Sequence, residues 1–168
     1  MVLYFLRHGD AVASPTLHDA DRPLSEAGHR EISRVASFLS GHRIAIDWVV
    51  SSPLLRARET ATHIAERLAL QSSEISEYLV PGSDPRQLAG LINGLDTRSI
   101  LLVGHEPHLS GTIAWLIGES KSPHIEMRKA SLACVEIHSP LRRGQGILRW
   151  LIPVHLLPSP EFQAPEEL

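Results

Sequence analysis

The sequence predicts an α/β fold: a three-layer α/β/α sandwich in which a mostly parallel central sheet carries helices on both faces. Three observations lead there. Short apolar runs rich in β-formers alternate with stretches of helical period from Val2 to Ile117. Two further apolar runs then follow each other across a glycine turn, as in an antiparallel hairpin. The chain has 168 residues, 43% of them apolar and 21% charged, the size and composition of one ordinary domain with a substantial core.

VLYFL (2–6) is too short for a helix and reads as a buried strand; Gly9 permits a sharp turn beyond it. After a loop containing Pro15 and Pro23, Ser25 and Glu26 open a helix. Ile32, Val35, Ala36 and Leu39 recur at helical spacing until Gly41, so it spans about 25–40. DWVVS (47–51) is the second strand. Pro53, after Ser51 and Ser52, fits the first position of a serine-capped helix running to about Leu68. EISEYLV (74–80) is a third, weaker strand, PGSDP a loop, and 85–92 a short helix. SILLVG (99–104) is a fourth strand, ended by glycine. A helix over 109–117, the run SLACVEIH (131–138), the basic turn RRGQG and the run ILRWLIPV (147–154) complete the series. One domain over 1–157 is expected, with 158–168 a Pro/Glu-rich tail.

Composition narrows the function. With 16 Lys and Arg against 19 Asp and Glu, the formal charge is -3, so no basic field is available to capture nucleic acid. Any anionic ligand must be held by a local cluster. The single cysteine, Cys134, lies in an apolar run and has no internal partner for a disulfide, which fits a reducing compartment. VLYFL is too short for a signal peptide, and nowhere do the ~18 uninterrupted apolar residues of a membrane span occur. A cytoplasmic monomer that binds neither membrane nor nucleic acid is expected.

In open α/β sheets, ligands bind beyond the carboxyl ends of the strands. Three predicted strands deliver polar residues there: Arg7-His8-Gly9, SSPLLRARET (51–60) and VGHEPH (103–108). Two arginines, two histidines and a helix N-terminus facing one cavity make a receptor for a tetrahedral oxyanion. Arginine suits that task because its planar fork donates paired hydrogen bonds and stays charged.

LYFLRHGDA, SSPLLRARET and VGHEP, in this order and with DADRPLSEAGHRE between the first two, resemble the signature segments of the histidine phosphatase superfamily, the phosphoglycerate-mutase-like fold. The short length, the RPLSEAG segment and the lack of inserted subdomains are most similar to the small SixA-type phosphohistidine phosphatases. The resemblance implies that His8 is a nucleophile that becomes phosphorylated, that Arg7 and Arg56 bind the phosphoryl group, and that His105 is the second pocket histidine. Arg7, Gly9, Arg56 and His105 form the implied substrate-binding set. No metal or cofactor is implied, since a neutral imidazole is nucleophilic near its pKa of ~6.5. The implied substrate is phosphohistidine on a protein. A small phosphorylated molecule is the neighbouring alternative, and a non-catalytic phosphate-binding module on the same fold a second.

One family element has no clear counterpart. Larger members resemble one another in having a glutamate after the middle strand that protonates an alcohol leaving group; here Glu77 sits within the expected strand and Asp84 in the loop. A missing acid favours a phosphoramidate, because imidazole departs far more readily than an alkoxide. Arg58, two places beyond Arg56, points elsewhere on a helix and reads as solvated or salt-bridging. His105 and His108 have the spacing of an H-x-x-H metal pair, but Pro107 between them and the lack of a carboxylate cluster argue against a metal. Asp10 either orients a pocket group or bends its loop, and Glu106 shapes the turn after the fourth strand. Ser25 and Gly28 read as helix-start geometry, and the remaining histidines have no evident partners.

Overall fold

Along the first strand, side chains alternate between two apolar environments, and this alternation sets the architecture. In the computed structural model, which describes residues 1–70, 73–118, 125–138 and 140–159, β1 spans Val2–Arg7. Leu3 and Phe5 enter one hydrophobic cluster and Leu6 the other, as a strand buried on both faces requires. β4 (Ser99–Gly104) divides in the same way: Ile100 and Leu102 face the first cluster, Leu101 and Val103 the second. α1 (Glu26–Gly41) and α2 (Leu55–Arg67) complete the second cluster with Ile32, Val35, Leu39 and Ile64. α3 (Pro85–Asn93) and α4 (His108–Leu116) complete the first with Leu88, Ile92, Leu109 and Ile113. Each of these large side chains contributes roughly 1.5–3 kcal/mol by leaving water. The expected three-layer sandwich is the observed one.

The sheet also contains β2 (Trp48–Ser51), β3 (Ser73–Ile75), β5 (Leu132–Ile137) and β6 (Gly146–Ile152). Its order is β3-β2-β4-β1-β5-β6. The first four strands in that order are parallel, and β5 is antiparallel to both of its neighbours. Arg7 lies opposite Gly104 and Ser51 opposite Val103. The chains leaving β1, β2 and β4 therefore emerge together at one sheet edge.

Three local expectations are corrected. The strand expected over 74–80 is only Ser73–Ile75, followed by a 3-10 turn, Glu77–Leu79. Among the described residues its sole neighbour is β2, which ends at Ser51, whose carbonyl takes a last bond from Ser76 N–H at 2.8 Å, so the pairing stops there. Pro53 does not open α2, which begins at Leu55 after an N-cap, Leu54, that makes no side-chain cap bond. Ser52 is still tied to the sheet through its N–H to the Val103 carbonyl, 2.9 Å, which delays the helix. The last apolar run leaves the sheet at Ile152, since Pro153 has no N–H to donate, and a 3-10 turn, Val154–Leu156, follows. Residues 160–168 of the expected tail, and His124, lie outside the described residues.

The start of α1 is fastened to the loop after β1. Ser25 Oγ accepts from Gly28 N–H at 3.1 Å and donates to Asp10 Oδ2 at 2.6 Å. Ser25 N–H donates to the Asp10 carbonyl at 2.9 Å. A Cβ on Gly28 would stand 2.1 Å from that same carbonyl oxygen. Backbone cannot yield as a flexible side chain can. Gly28→Ala is expected to lose about 2–3 kcal/mol, roughly 4–12 °C in Tm for a domain of this size. Gly41→Ala, with open space around its Cβ, serves as the control; equal melting of the two variants would contradict this packing.

Candidate active site

His8 and His105 follow directly on the paired ends of β1 and β4, and His8 N–H donates to the Gly104 carbonyl at 3.1 Å. Their rings stand with centroids 4.9 Å apart, tilted by 53°. His8 Nδ1 lies 2.7 Å from the Gly9 carbonyl oxygen. A carbonyl only accepts, so Nδ1 carries the proton and Nε2 keeps its lone pair. Arg56 Nε–H points at that lone pair from 3.2 Å. His105 Nε2 is 2.8 Å from Ser52 Oγ.

Arg56 is buried on the first turn of α2, and its guanidinium is held from outside the sheet edge. One terminal nitrogen donates to the Asp19 carbonyl at 2.6 Å and the other to Asp19 Oδ2 at 3.0 Å. Asp19 belongs to a 3-10 turn, Asp19–Asp21, and its other carboxylate oxygen accepts from Arg22 at 3.0 Å. Arg7 donates to the Met127 carbonyl at 2.9 Å, while its Nε has no partner among the described residues. Arg7, His8, Arg22, Arg56, His105, Glu106 and Lys129, with Ala11 and Pro81, line a cavity of about 250 Å³. That is room for a phosphoryl group and part of what it is attached to.

Burial controls the protonation of both imidazoles. It pushes His8 down to about 4, with Arg56, Arg7 and Lys129 adding to the effect and the Gly9 carbonyl opposing it. His105 is pushed down to about 3 by burial first and then by His8 and Arg56, with Asp19 opposing. Both rings are neutral at pH 7. For Asp19, burial opposes ionisation, but the bonds from Arg56 and Arg22 prevail and hold its carboxyl below the usual range.

Of the residues singled out in the sequence, Arg7, His8, Arg56 and His105 come together. Gly9 supports them without lining the cavity: its N–H donates to Thr60 Oγ1 at 3.3 Å and its carbonyl orients His8. Arg58 is exposed and lines a separate surface groove with His29 and His63. His108 packs on α4 beside Thr112 and does not join His105, and among the described residues no three His, Cys, Asp or Glu side chains are grouped as a metal would require. Glu77 is exposed, and Asp84 caps α3 and pairs with Arg86 at 2.6 Å. Neither lines the cavity. Glu106 shapes its turn as expected, accepting from Ser110 N–H at 3.0 Å, and also forms part of the cavity wall. Asp10 does both of the things weighed for it: it fastens its loop to Ser25 and holds Lys129, a cavity residue, at 2.5 Å. Asp19, Arg22, Ser52 and Lys129 were not anticipated. Only Ser52 had a signal: it is the first residue past β2, and with Ser51 opposite Val103 it lies level with Gly104, the residue before His105.

Residues 3–79 match the family model described as the histidine phosphatase superfamily, branch 1. The chain is 29% identical over 154 residues to the phosphohistidine phosphatase SixA of Escherichia coli (strain K12), across 89% of this chain and 92% of that protein. It is 32% identical over 136 residues to an uncharacterized protein of Picosynechococcus sp., across 79% and 82% of the two. The solved structure of the protein histidine phosphatase SixA complexed with tungstate matches with a TM-score of 0.83 at 27% identity, covering 92% of this chain and 98% of that one.

The two imidazoles give a pH signature. Their folded values lie below the ~6.5 of an exposed histidine, so the unfolded chain takes up protons first as pH falls. The stability they contribute is complete above about pH 6.5 and is lost progressively as acid approaches the folded values. Long-range proton–nitrogen NMR at pH 7 should find His8 as the Nδ1–H tautomer, remaining neutral until the pH nears about 4. Titration of His8 or His105 near 6.5 would show that they are not buried in this way.

Proposed function

The chain belongs to the histidine phosphatase superfamily and is a phosphatase of that type, and from this premise we propose that it hydrolyses phosphohistidine on a protein, without a metal, through a phosphorylated His8. The observation that carries the proposal is the Nε2 lone pair of His8, left unprotonated by the bond from Nδ1 to the Gly9 carbonyl, on a ring that lines a cavity walled by Arg7, Arg56 and His105. Nε2 attacks phosphorus as the bond to the leaving nitrogen breaks; the electron pair goes to the departing ring, whose other nitrogen has already taken a proton from solvent, so that it leaves as neutral imidazole. Water then displaces His8, giving inorganic phosphate and the free enzyme. Charge spreads over the non-transferring oxygens in such a transfer, and Arg7 and Arg56 supply fixed positive charge to them in place of a metal ion. Arg56 Nε–H, directed at Nε2, has to pass to a phosphoryl oxygen when the substrate enters. The match to the tungstate-bound SixA structure supports the same assignment, tungstate being a tetrahedral oxyanion.

Glu106 favours a second possibility. Among the described residues it is the one carboxylate lining the cavity, and a carboxyl there could protonate an alkoxide, making the enzyme a small-molecule phosphomonoesterase. A purely binding module is disfavoured by the intact nucleophile.

Incubation with a phosphohistidine protein, followed by quenching, should trap an acid-labile phosphoryl group on His8. His8→Ala should abolish both label and turnover while leaving thermal unfolding nearly unchanged; a label on another residue would overturn the covalent route.

The leaving-group dependence separates the two substrate classes. Phosphohistidine and p-nitrophenyl phosphate should be turned over far faster than glycerol phosphate, with a steep negative slope of log kcat/KM against leaving-group pKa. Glu106→Gln, which keeps an oxygen for Ser110 N–H, should change the activated substrates less than about threefold. A flat slope, with good alkyl phosphate turnover abolished by Glu106→Gln, would assign the enzyme to the phosphomonoesterases.

A further inference from the structure

The turn that precedes β5 is locked onto the ends of His8 and Arg7. Ala130 N–H donates to both the Arg7 and His8 carbonyls at 3.1 Å, the Met127 carbonyl accepts from Arg7, and Arg7 N–H donates to the Ser131 carbonyl at 3.1 Å. Ala130 adopts φ of 54°, in the left-handed region, a conformation that costs about 1–2 kcal/mol for a residue with a Cβ and persists only where surrounding contacts impose it. This turn presents Lys129 to the cavity that holds the nucleophile.

We propose that Lys129 is a substrate-binding residue of the phosphoryl site, its ammonium leaving Asp10 to bind a non-transferring oxygen of the incoming group. The proposal rests on the phosphatase function given above and adds a third cation to Arg7 and Arg56. What distinguishes Lys129 from the other wall cations is how it is held. Arg56 is buried and clamped by Asp19 through two nitrogens. Arg22 is fixed by the Val12 carbonyl at 2.8 Å as well as by Asp19. Among the described residues Lys129 has a single ion pair, to Asp10, with side chains 43% and 32% exposed. Pairs so wetted contribute only about 0–1 kcal/mol, so a doubly charged phosphoryl group entering the cavity can displace the carboxylate. A lysine also suits the role mechanically, because its three donors on a flexible stem can follow oxygens that move as the phosphoryl group transfers. Its charge already reaches the nucleophile, disfavouring protonation of His8 together with Arg56 and Arg7. Asp10 holds the ammonium beside the cavity at 2.5 Å.

Tungstate binding by calorimetry tests this without requiring turnover. In Lys129→Met, the tungstate Kd should rise about tenfold with Tm unchanged, and Lys129→Arg should recover most of the loss. The NMR titration midpoint of His8 should rise in Lys129→Met, since the ammonium disfavours protonation of that ring. Tungstate binding in Lys129→Met equal to that of the unaltered protein would overturn the role of Lys129 and leave the phosphatase assignment standing. Failure of the unaltered protein to bind tungstate at all would instead overturn the phosphoryl site, and Lys129 with it.

Discussion

The parallel pairing of β1 with β4 is the constraint on which the rest depends. Leu3 and Phe5 share one apolar cluster with Ile100 and Leu102, while Leu6 shares the other with Leu101 and Val103. Slipping the pair by one residue would turn each of these sets to the opposite face. Core packing therefore fixes the register, and the register puts Arg7 opposite Gly104. His8 and His105 then have no freedom in where they emerge. Their separation is set by strand spacing rather than by any attraction between the two rings.

The electrostatics follow from that enclosure. Arginine cannot shed its proton in a protein, so the positive charge gathered around the cavity has to be accommodated by the groups that can. The imidazoles accommodate it by remaining neutral, helped first by their burial. Asp19 accommodates it by standing between Arg22 and Arg56 and bonding to both. His8 is thereby kept unprotonated by the same surroundings that hold two cations close to it.

Much of this was legible in the sequence because it is local. Burial on both faces marks β1 and β4 as continuous apolar runs, and Ser25 with Gly28 announces the start of α1 within four residues. The three motif segments named Arg7, His8, Arg56 and His105 because each follows a strand that is itself easy to recognise. The remainder depends on distant partners. The length of β3 is decided by where β2 stops, and the start of α2 by a bond from Ser52 to Val103. Asp19 and Lys129 look like ordinary surface charges until the fold sets the first against Arg56 and the second against Asp10, 37 and 119 residues away. Glu106 was read correctly as a turn residue, but its second exposure, to the cavity, follows from the packing of neighbouring loops.

The strand order has a consequence for synthesis. β1 is the first element in the chain, yet both of its neighbours in the sheet, β4 and β5, come from far along it. While the chain emerges from the ribosome, VLYFL has no native partner until residues 99–104 appear, and its second edge stays open until 132–137 follow. Such non-local pairing makes folding slow and leaves an apolar strand exposed to other chains in the meantime. The segment that carries His8 is thus made before either strand that shelters it, and the cavity around His8 and His105 is incomplete on a nascent chain that stops short of β5.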